Sequence, residues 1–491
     1  MSMASPLERR RAGLLLHPTS LPGQYDNGDL GPNAYRFIEW LAACGFTVWQ
    51  TLPLGPPHDD LSPYSAQSAH AGNPRLIALE PLIEAGWLSP DAGPRAGEDG
   101  WAYRQRRLLE AHQGFQERGG AERETYSVFQ RHHAHWLDDY ALYQAIRATH
   151  RQKAWCDWPR DLRDRRPEAL ATVRIDAAPV IDQRKFEQFL FFQQWTALKQ
   201  HANEHGILIF GDIPLFVGYD SADVWAEREA FLLDAEGRRK VVAGVPPDYF
   251  SATGQLWGNP HYDWVAMQAN DFQWWKARIR TQFTQFDLLR IDHFRGLEAY
   301  WEIPAEAETA IHGRWQTAPG QALISALREE FGNLPLVAED LGIITPEVEA
   351  LRDDNELPGM KVLHFAFGGG ADNPYLPHHH VPNAVAYTGT HDNNTTMGWF
   401  DELDAGTRHH LFDYLGGTAE GMPEGLVRAA FASVARLAIL PMQDVLALGG
   451  EHRMNVPGIA NGNWRWRFDW EQVKPHIAGQ YRHLLELYGR I

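Results

Sequence analysis

Leu288-Leu289-Arg290-Ile291-Asp292-His293-Phe294-Arg295-Gly296 holds the key to the architecture. Leu288, Leu289 and Ile291 make a short apolar run bounded by Asp287 and Gly296. A run of this length with turn signals at its ends suits a buried strand of a parallel sheet. It ends in four ionisable residues, Arg290, Asp292, His293 and Arg295. Charge is seldom placed where a buried strand emerges unless something there uses it. An acid flanked by two arginines is expected to be held ionised, which suits a nucleophile. A structural ion pair at a strand end explains the same residues.

Two more stretches repeat the arrangement. Val337-Ala338-Glu339-Asp340-Leu341-Gly342 runs from apolar residues into a carboxylate pair, and Ala384–Thr396, AVAYTGTHDNNTT, does the same with Asp392. In a parallel barrel the carboxyl ends of all strands converge on one mouth, where active sites sit.

At RIDHFR, AEDLG and GTHDNNTT the chain resembles the 4-α-glucanotransferases, also called amylomaltases or disproportionating enzymes, relatives of the α-amylase group. The resemblance runs from LLLHPTSLPG in residues 13–23 to NWRWR at Asn463–Arg467. It implies a (β/α)8 barrel and transfer of α-1,4-glucan segments by way of a covalent sugar–enzyme ester.

The rest of the chain reads consistently. Gly13–Ser20 and Thr47–Leu54 predict strands around a helix at Asn33–Gly45, where Ala34, Phe37, Ile38 and Leu41 share a face. Further strands are expected at Ile207–Pro214, Leu288–Asp292, Pro335–Leu341, Lys361–Phe367, within Ala384–Asp392, and at Leu437–Leu446. Helices are expected at Phe186–His205, Asp271–Phe286 and Glu471–Tyr488, with Thr345 as an N-cap before Pro346. Eight strands with intervening helices predict one α/β (TIM) barrel spanning residues 1–491. Two stretches break its rhythm. Residues from about 81 to 184 read as an inserted helical subdomain, and residues from about 216 to 267 as a loop-rich substrate-binding insertion.

Composition narrows the function. With 44% apolar residues the chain can bury a large core, and a formal charge of −18 argues against nucleic acid or an anionic membrane as partner. Nineteen tryptophans offer flat faces for sugar rings, although they fill cores equally well. Two cysteines, Cys44 and Cys156, allow at most one bridge, so a reducing compartment fits. Arg9-Arg10-Arg11 is followed only by Leu14-Leu15-Leu16, too short for a signal peptide, and no apolar run reaches membrane-spanning length. The expected location is the cytoplasm. His132, His133 and His135 read as a solvated helix face, and His378-His379-His380 as surface. No ligand set for a metal is evident, and no cofactor is expected.

Cleaving an acetal takes an acid to protonate the leaving oxygen and a negative group against the developing oxocarbenium ion. Asp292 is assigned as nucleophile. Glu339 is the acid/base, because its apolar approach raises its pKa. Asp392, between His391 and Asn393-Asn394, is placed to grip hydroxyls of the distorted sugar. Arg290, Asp212, His293 and His391 are candidate sugar-binding residues, with a structural histidine the alternative for His293. Tyr64, Phe250 and Trp257 resemble the family's aromatic contacts to glucan, with core packing the alternative. Asn455 and Arg465 follow the last strand and are candidates to reach the mouth. The loop Pro246–Trp257 is expected to overhang it, with Phe250 beside the acceptor sugar. The expected partners are α-1,4-glucans such as maltooligosaccharides, starch or glycogen, and glucose as acceptor. A hydrolase using the same carboxylates, or a non-catalytic glucan-binding barrel, remains as the alternative.

Overall fold

The computed structural model describes residues 7–90, 93–247, 251–417, 421–459 and 461–491. Eight parallel strands form the central sheet: β1 (Arg11–Leu15), β2 (Val48–Gln50), β3 (Leu208–Pro214), β6 (Leu288–Asp292), β9 (Leu336–Ala338), β10 (Gly359–Val362), β11 (Ala384–Tyr387) and β12 (Leu437–Pro441). Their order is β10-β11-β12-β1-β2-β3-β6-β9, and every adjacent pair is parallel. Between the two ends, β9 and β10, the Ala338 N–H donates to the Pro358 carbonyl at 2.9 Å, closing a (β/α)8 barrel.

Side-chain alternation builds two apolar layers from single strands. Leu15, Val48, Phe210, Leu288, Val337, Val385 and Ile439 pack together inside the barrel. Leu14, Trp49, Ile209, Leu289, Leu336 and Ala438 pack outward in the main core that the helices share. The helix Pro32–Cys44 turns its Phe37, Ile38 and Leu41 stripe into that outer layer. It stops at Gly45 (φ 87°), whose N–H and that of Phe46 satisfy the last free carbonyls of the helix.

The predicted strands all occur, but they are shorter at their ends. Pro18 and Pro441 set where β1 and β12 give way to helical turns, at Pro18–Ser20 and Met442–Val445. After β10 the chain coils at Leu363–Phe365. Thr345 precedes the helix Pro346–Asp354, but its side chain does not cap it. The boundary expected near 184 falls inside one continuous helix, Ala178–Glu204, which starts around Pro179.

A second sheet was not anticipated. It is antiparallel, in the order β5-β4-β7-β8, with β4 (Val241–Val245), β5 (Gln255–Pro260), β7 (Ala299–Pro304) and β8 (Arg314–Thr317). Half of it comes from the stretch between β3 and β6, and half from the stretch between β6 and β9. Both hairpin halves therefore spring from the strand ends around Asp292.

Candidate active site

Strand register brings the first two carboxylates together. Ile291 on β6 pairs with Ala338 on β9, so Asp292 and Glu339 are the next residues on adjacent strands. Leu288 and Val337 face the barrel interior, so the period of two turns Asp292 and Glu339 inward as well. Backbone bonds lace these ends: the Glu339 N–H donates to the Ile291 carbonyl, and the Phe294 N–H to the Glu339 carbonyl, both at 3.1 Å. His293 sits in the left-handed region (φ 58°), an uncommon conformation for a residue with a Cβ. Its N–H donates to Glu339 Oε2 at 2.7 Å, while the Leu341 N–H donates to Oε1 at 2.9 Å. Both oxygens of the Glu339 carboxyl are thus oriented by the main chain.

Below them, Arg290 lies inside the barrel. Its Nη2 is 2.8 Å from Asp292 Oδ1, and its Nη1 donates to Asp212 Oδ2 at 2.6 Å. The same Asp212 oxygen accepts the Tyr64 hydroxyl at 2.7 Å. Arg290 and Asp212 were expected to bind sugar. Both side chains are buried, Asp212 completely, and they form the floor that fixes Asp292 and Tyr64. Arg295 was expected to flank Asp292. The turn at His293 sends it elsewhere: its guanidinium stacks 3.8 Å from the Trp315 ring centre and donates to the Ile343 carbonyl.

Burial pushes the Asp292 carboxyl up to about 8, with Arg290 opposing and Asp212, Glu339 and Asp392 adding to the rise. Burial also raises Glu339, against Arg290 and its two backbone donors. One guanidinium cannot neutralise this many carboxyls, so the Asp292–Glu339 pair retains a proton. A full charge 2.8 Å away favours the ionised form more than peptide dipoles do, which puts that proton on Glu339. Arg290 itself stays protonated: burial works against it, but Asp212, Asp292, Tyr64 and Glu339 outweigh it.

Asp392 is held differently. Asn455 Nδ2 donates to its Oδ1 at 2.6 Å, Arg453 Nη2 to its carbonyl at 2.9 Å, and His391 Nε2 lies 3.3 Å from Oδ2. Burial lowers the His391 pKa, with Asp392 opposing, so a neutral ring serves as the partner. The loop is tied down by buried Asp444, which accepts from the Thr388 hydroxyl (2.5 Å) and from the Thr396 N–H and hydroxyl (each 2.7 Å).

Aromatic rings line the mouth. Tyr64 stacks on His391 (centroids 5.2 Å, 12°), and Trp464 tilts against both at 5.9 and 6.0 Å. Trp257, 38% exposed, stands edge-on to the His293 ring at 4.8 Å, so it is not core filler. Burial lowers the His293 pKa to about 3, and its Nε2 has no hydrogen-bond partner among the described residues. Arg465 is exposed; its neighbour Trp464 is the side chain that reaches the site. Phe250 lies outside the described residues. His380 was expected at the surface but is buried, bonded to Ser433 Oγ (2.7 Å) and the Tyr375 carbonyl (2.9 Å). Among the described residues, no group of three or more His, Cys, Asp or Glu could hold a metal ion.

Sequence reasoning missed Trp464, Arg453 and Asp444. Trp464 alternates with the two arginines of the NWRWR run, and either half of that alternation could have been the one facing inward.

The family profile described as 4-alpha-glucanotransferase matches residues 16–472. The chain belongs to the 4-α-glucanotransferase family. It is 47% identical to the 4-alpha-glucanotransferase of Synechocystis sp., over 99% of both chains, and 48% identical to that of Thermus thermophilus, over 98% of this chain and 99% of the relative. An amylomaltase from Streptococcus agalactiae, solved in complex with acarbose, superposes with a TM-score of 0.93 at 36% identity, covering 98% of this chain and all of the other. A Corynebacterium glutamicum amylomaltase, at 18% identity and a TM-score of 0.78, shares the fold.

Proposed function

We propose that this member of the family disproportionates α-1,4-glucans by a retaining double displacement at Asp292 and Glu339. The adjacency of these two residues on paired strands carries the reading. Neighbouring strands lie about 4.8 Å apart. Retaining glycosidases keep their two carboxyls about 5–5.5 Å apart, whereas inverting ones need at least about 6.5 Å.

In the first step Asp292 attacks C1 of the donor sugar. The C1–O4 bond breaks, and the Glu339 proton passes to the departing O4. In the second step Glu339 takes the proton of an acceptor 4-hydroxyl as that oxygen attacks C1, and Asp292 leaves as carboxylate. Asp392 holds hydroxyls of the distorted ring, and Tyr64, Trp257, His293, His391 and Asn455 shape the donor and acceptor sites. Phe250 is assigned the acceptor face. Water is abundant, so transfer depends on binding a sugar acceptor and shielding the ester. Free thiols at Cys44 and Cys156 fit a reducing cytoplasm.

The product pattern from maltotriose tests the whole reading. Transfer yields glucose and longer oligosaccharides with almost no gain in reducing ends. A steady gain in reducing ends would make the enzyme a hydrolase, and unchanged maltotriose a binding protein.

A further inference from the structure

We infer that Trp315 carries an outlying binding platform for an α-1,4-glucan chain, on the acceptor side of the mouth and beyond the sugars that touch the three carboxylates. The inference rests on the proposed function for its ligand.

Trp315 lies on β8, the edge of the antiparallel sheet, and is 40% exposed. Its ring is nonetheless fixed. Trp301, its cross-strand partner on β7, meets it edge-to-face at 5.1 Å and 64°, and the Arg295 guanidinium lies 3.8 Å from its centre. Trp301 is anchored in turn by a 2.9 Å bond from Nε1 to the Ala310 carbonyl. Gly313 makes room for that ring, since a Cβ there would come within 2.3 Å of Trp301 Nε1. A side chain already immobilised loses little entropy when a ligand stacks on it. An exposed yet rigid indole is the surface that the C–H faces of sugar rings pack on.

Its position names the glucan end it meets. Arg295 follows Asp292 by one turn, and its bond to the Ile343 carbonyl reaches the loop that leaves Glu339. Ile343, in that loop, and Ile311, next to the Ala310 that anchors Trp301, are also exposed. Glu339 serves the oxygen between donor and acceptor, so a platform beside its loop lies along the path of the acceptor chain. A net charge of −18 disfavours a polyanionic ligand and leaves a neutral glucan unaffected. Three partly exposed side chains fall well short of the roughly 800 Å² per partner that a stable protein interface buries.

The test compares Trp315→Ala and Trp315→Phe with the parent, on maltotriose and on amylose with glucose as acceptor. For Trp315→Ala the expected result is a maltotriose kcat/KM within about twofold of the parent. Its KM for amylose should rise about 5- to 10-fold at unchanged kcat, the scale of one lost stacking contact. Trp315→Phe should recover most of the loss, and the Ala variant should run faster than the parent through an amylose-containing native gel. An unchanged KM for amylose overturns the inference. So does an equal loss on maltotriose, which would place Trp315 in the central cleft or in the fold. A change of oligomeric state by light scattering would make the patch a contact between copies instead. Failure of the parent itself to transfer from maltotriose would count against the proposed function and leave the platform to be judged by gel migration alone.

Discussion

Asp292 and Asp392 are both delivered to one mouth, but by opposite means. Asp292 is the last residue of a strand, so the ladder fixes its backbone and the period of two fixes its direction. Its cation, Arg290, is shared with Asp212, and desolvation raises its carboxyl above the ordinary range. Asp392 lies in a loop after β11 and is more exposed (44% against 30% for the side chains). It is placed by Asn455, Arg453 and His391. A strand-borne acid gains accuracy from the sheet and bears electrostatic strain. A loop-borne acid is relaxed and depends on each tertiary partner. The first should fail all at once when one atom changes, the second by degrees.

The largest effect is expected for Asp292→Asn. An amide cannot form the ester, so turnover should drop by about four orders of magnitude or more. The variant should also melt no lower than the parent at pH 7, because it removes a carboxyl that burial disfavours in its charged form. Near-normal activity would remove Asp292 as nucleophile. A clearly lower melting temperature would show that the Arg290 ion pair stabilises more than burial costs.

Glu339→Gln should lose about 10²–10⁴-fold on glucans. With a glucosyl fluoride, whose leaving group needs no proton, the first step should recover in a burst experiment. An equal defect on both substrates would deny Glu339 the acid role.

The raised carboxyls also set a pH dependence. In the folded chain the Asp292–Glu339 pair keeps a proton that the unfolded chain releases near pH 4. Folding therefore takes up a proton between about pH 4 and 8, and the pair's contribution to stability falls as pH rises through that window. Activity needs the same proton on Glu339, so kcat/KM should have an alkaline limb above the ordinary carboxylate range, in the direction burial shifts both carboxyls. A limb that stays put in the Glu339→Gln variant would trace it to some other group.

On the loop side, Asn455→Ala should cost roughly 10-fold in kcat with little effect on melting, since Asp392 keeps Arg453, His391 and Thr390 as partners. A loss as deep as that of Asp292→Asn would erase the contrast between the two acids. The smallest effect is expected from exhaustive chelation with EDTA, which should leave the rate unchanged. Recovery of lost activity by a divalent ion would overturn that.

The same contrast explains what could be read from the chain alone. Strand-borne features were legible: apolar runs ending in acids located β6, β9 and β11. Direction after a strand ends was not. Arg295 is three residues from Asp292, yet the positive φ at His293 turns it to Trp315. The depth of Asp212 in the barrel is a property of its register with β6, which the linear sequence does not display. The short strands β7 and β8 were not read from the sequence, although Pro304, Gly313 and Pro319-Gly320 bound them. His380 sits in a polar triplet, and only tertiary packing shows that the third member turns inward.

The β9–β10 seam has a consequence of its own. One backbone bond joins the strands there, where other neighbours share full ladders, and Asp340 supplements it. Its carboxylate accepts the Met360 N–H at 2.7 Å and pairs with Arg352, and Gly359 leaves the space it needs. A closed cylinder breathes at its least-fastened joint, so amide hydrogens along Leu336–Ala338 should exchange with solvent ahead of those on β1, β3 and β12. Glu339 stands at the lip of that joint, so fluctuations of the seam would reach the proposed proton donor first.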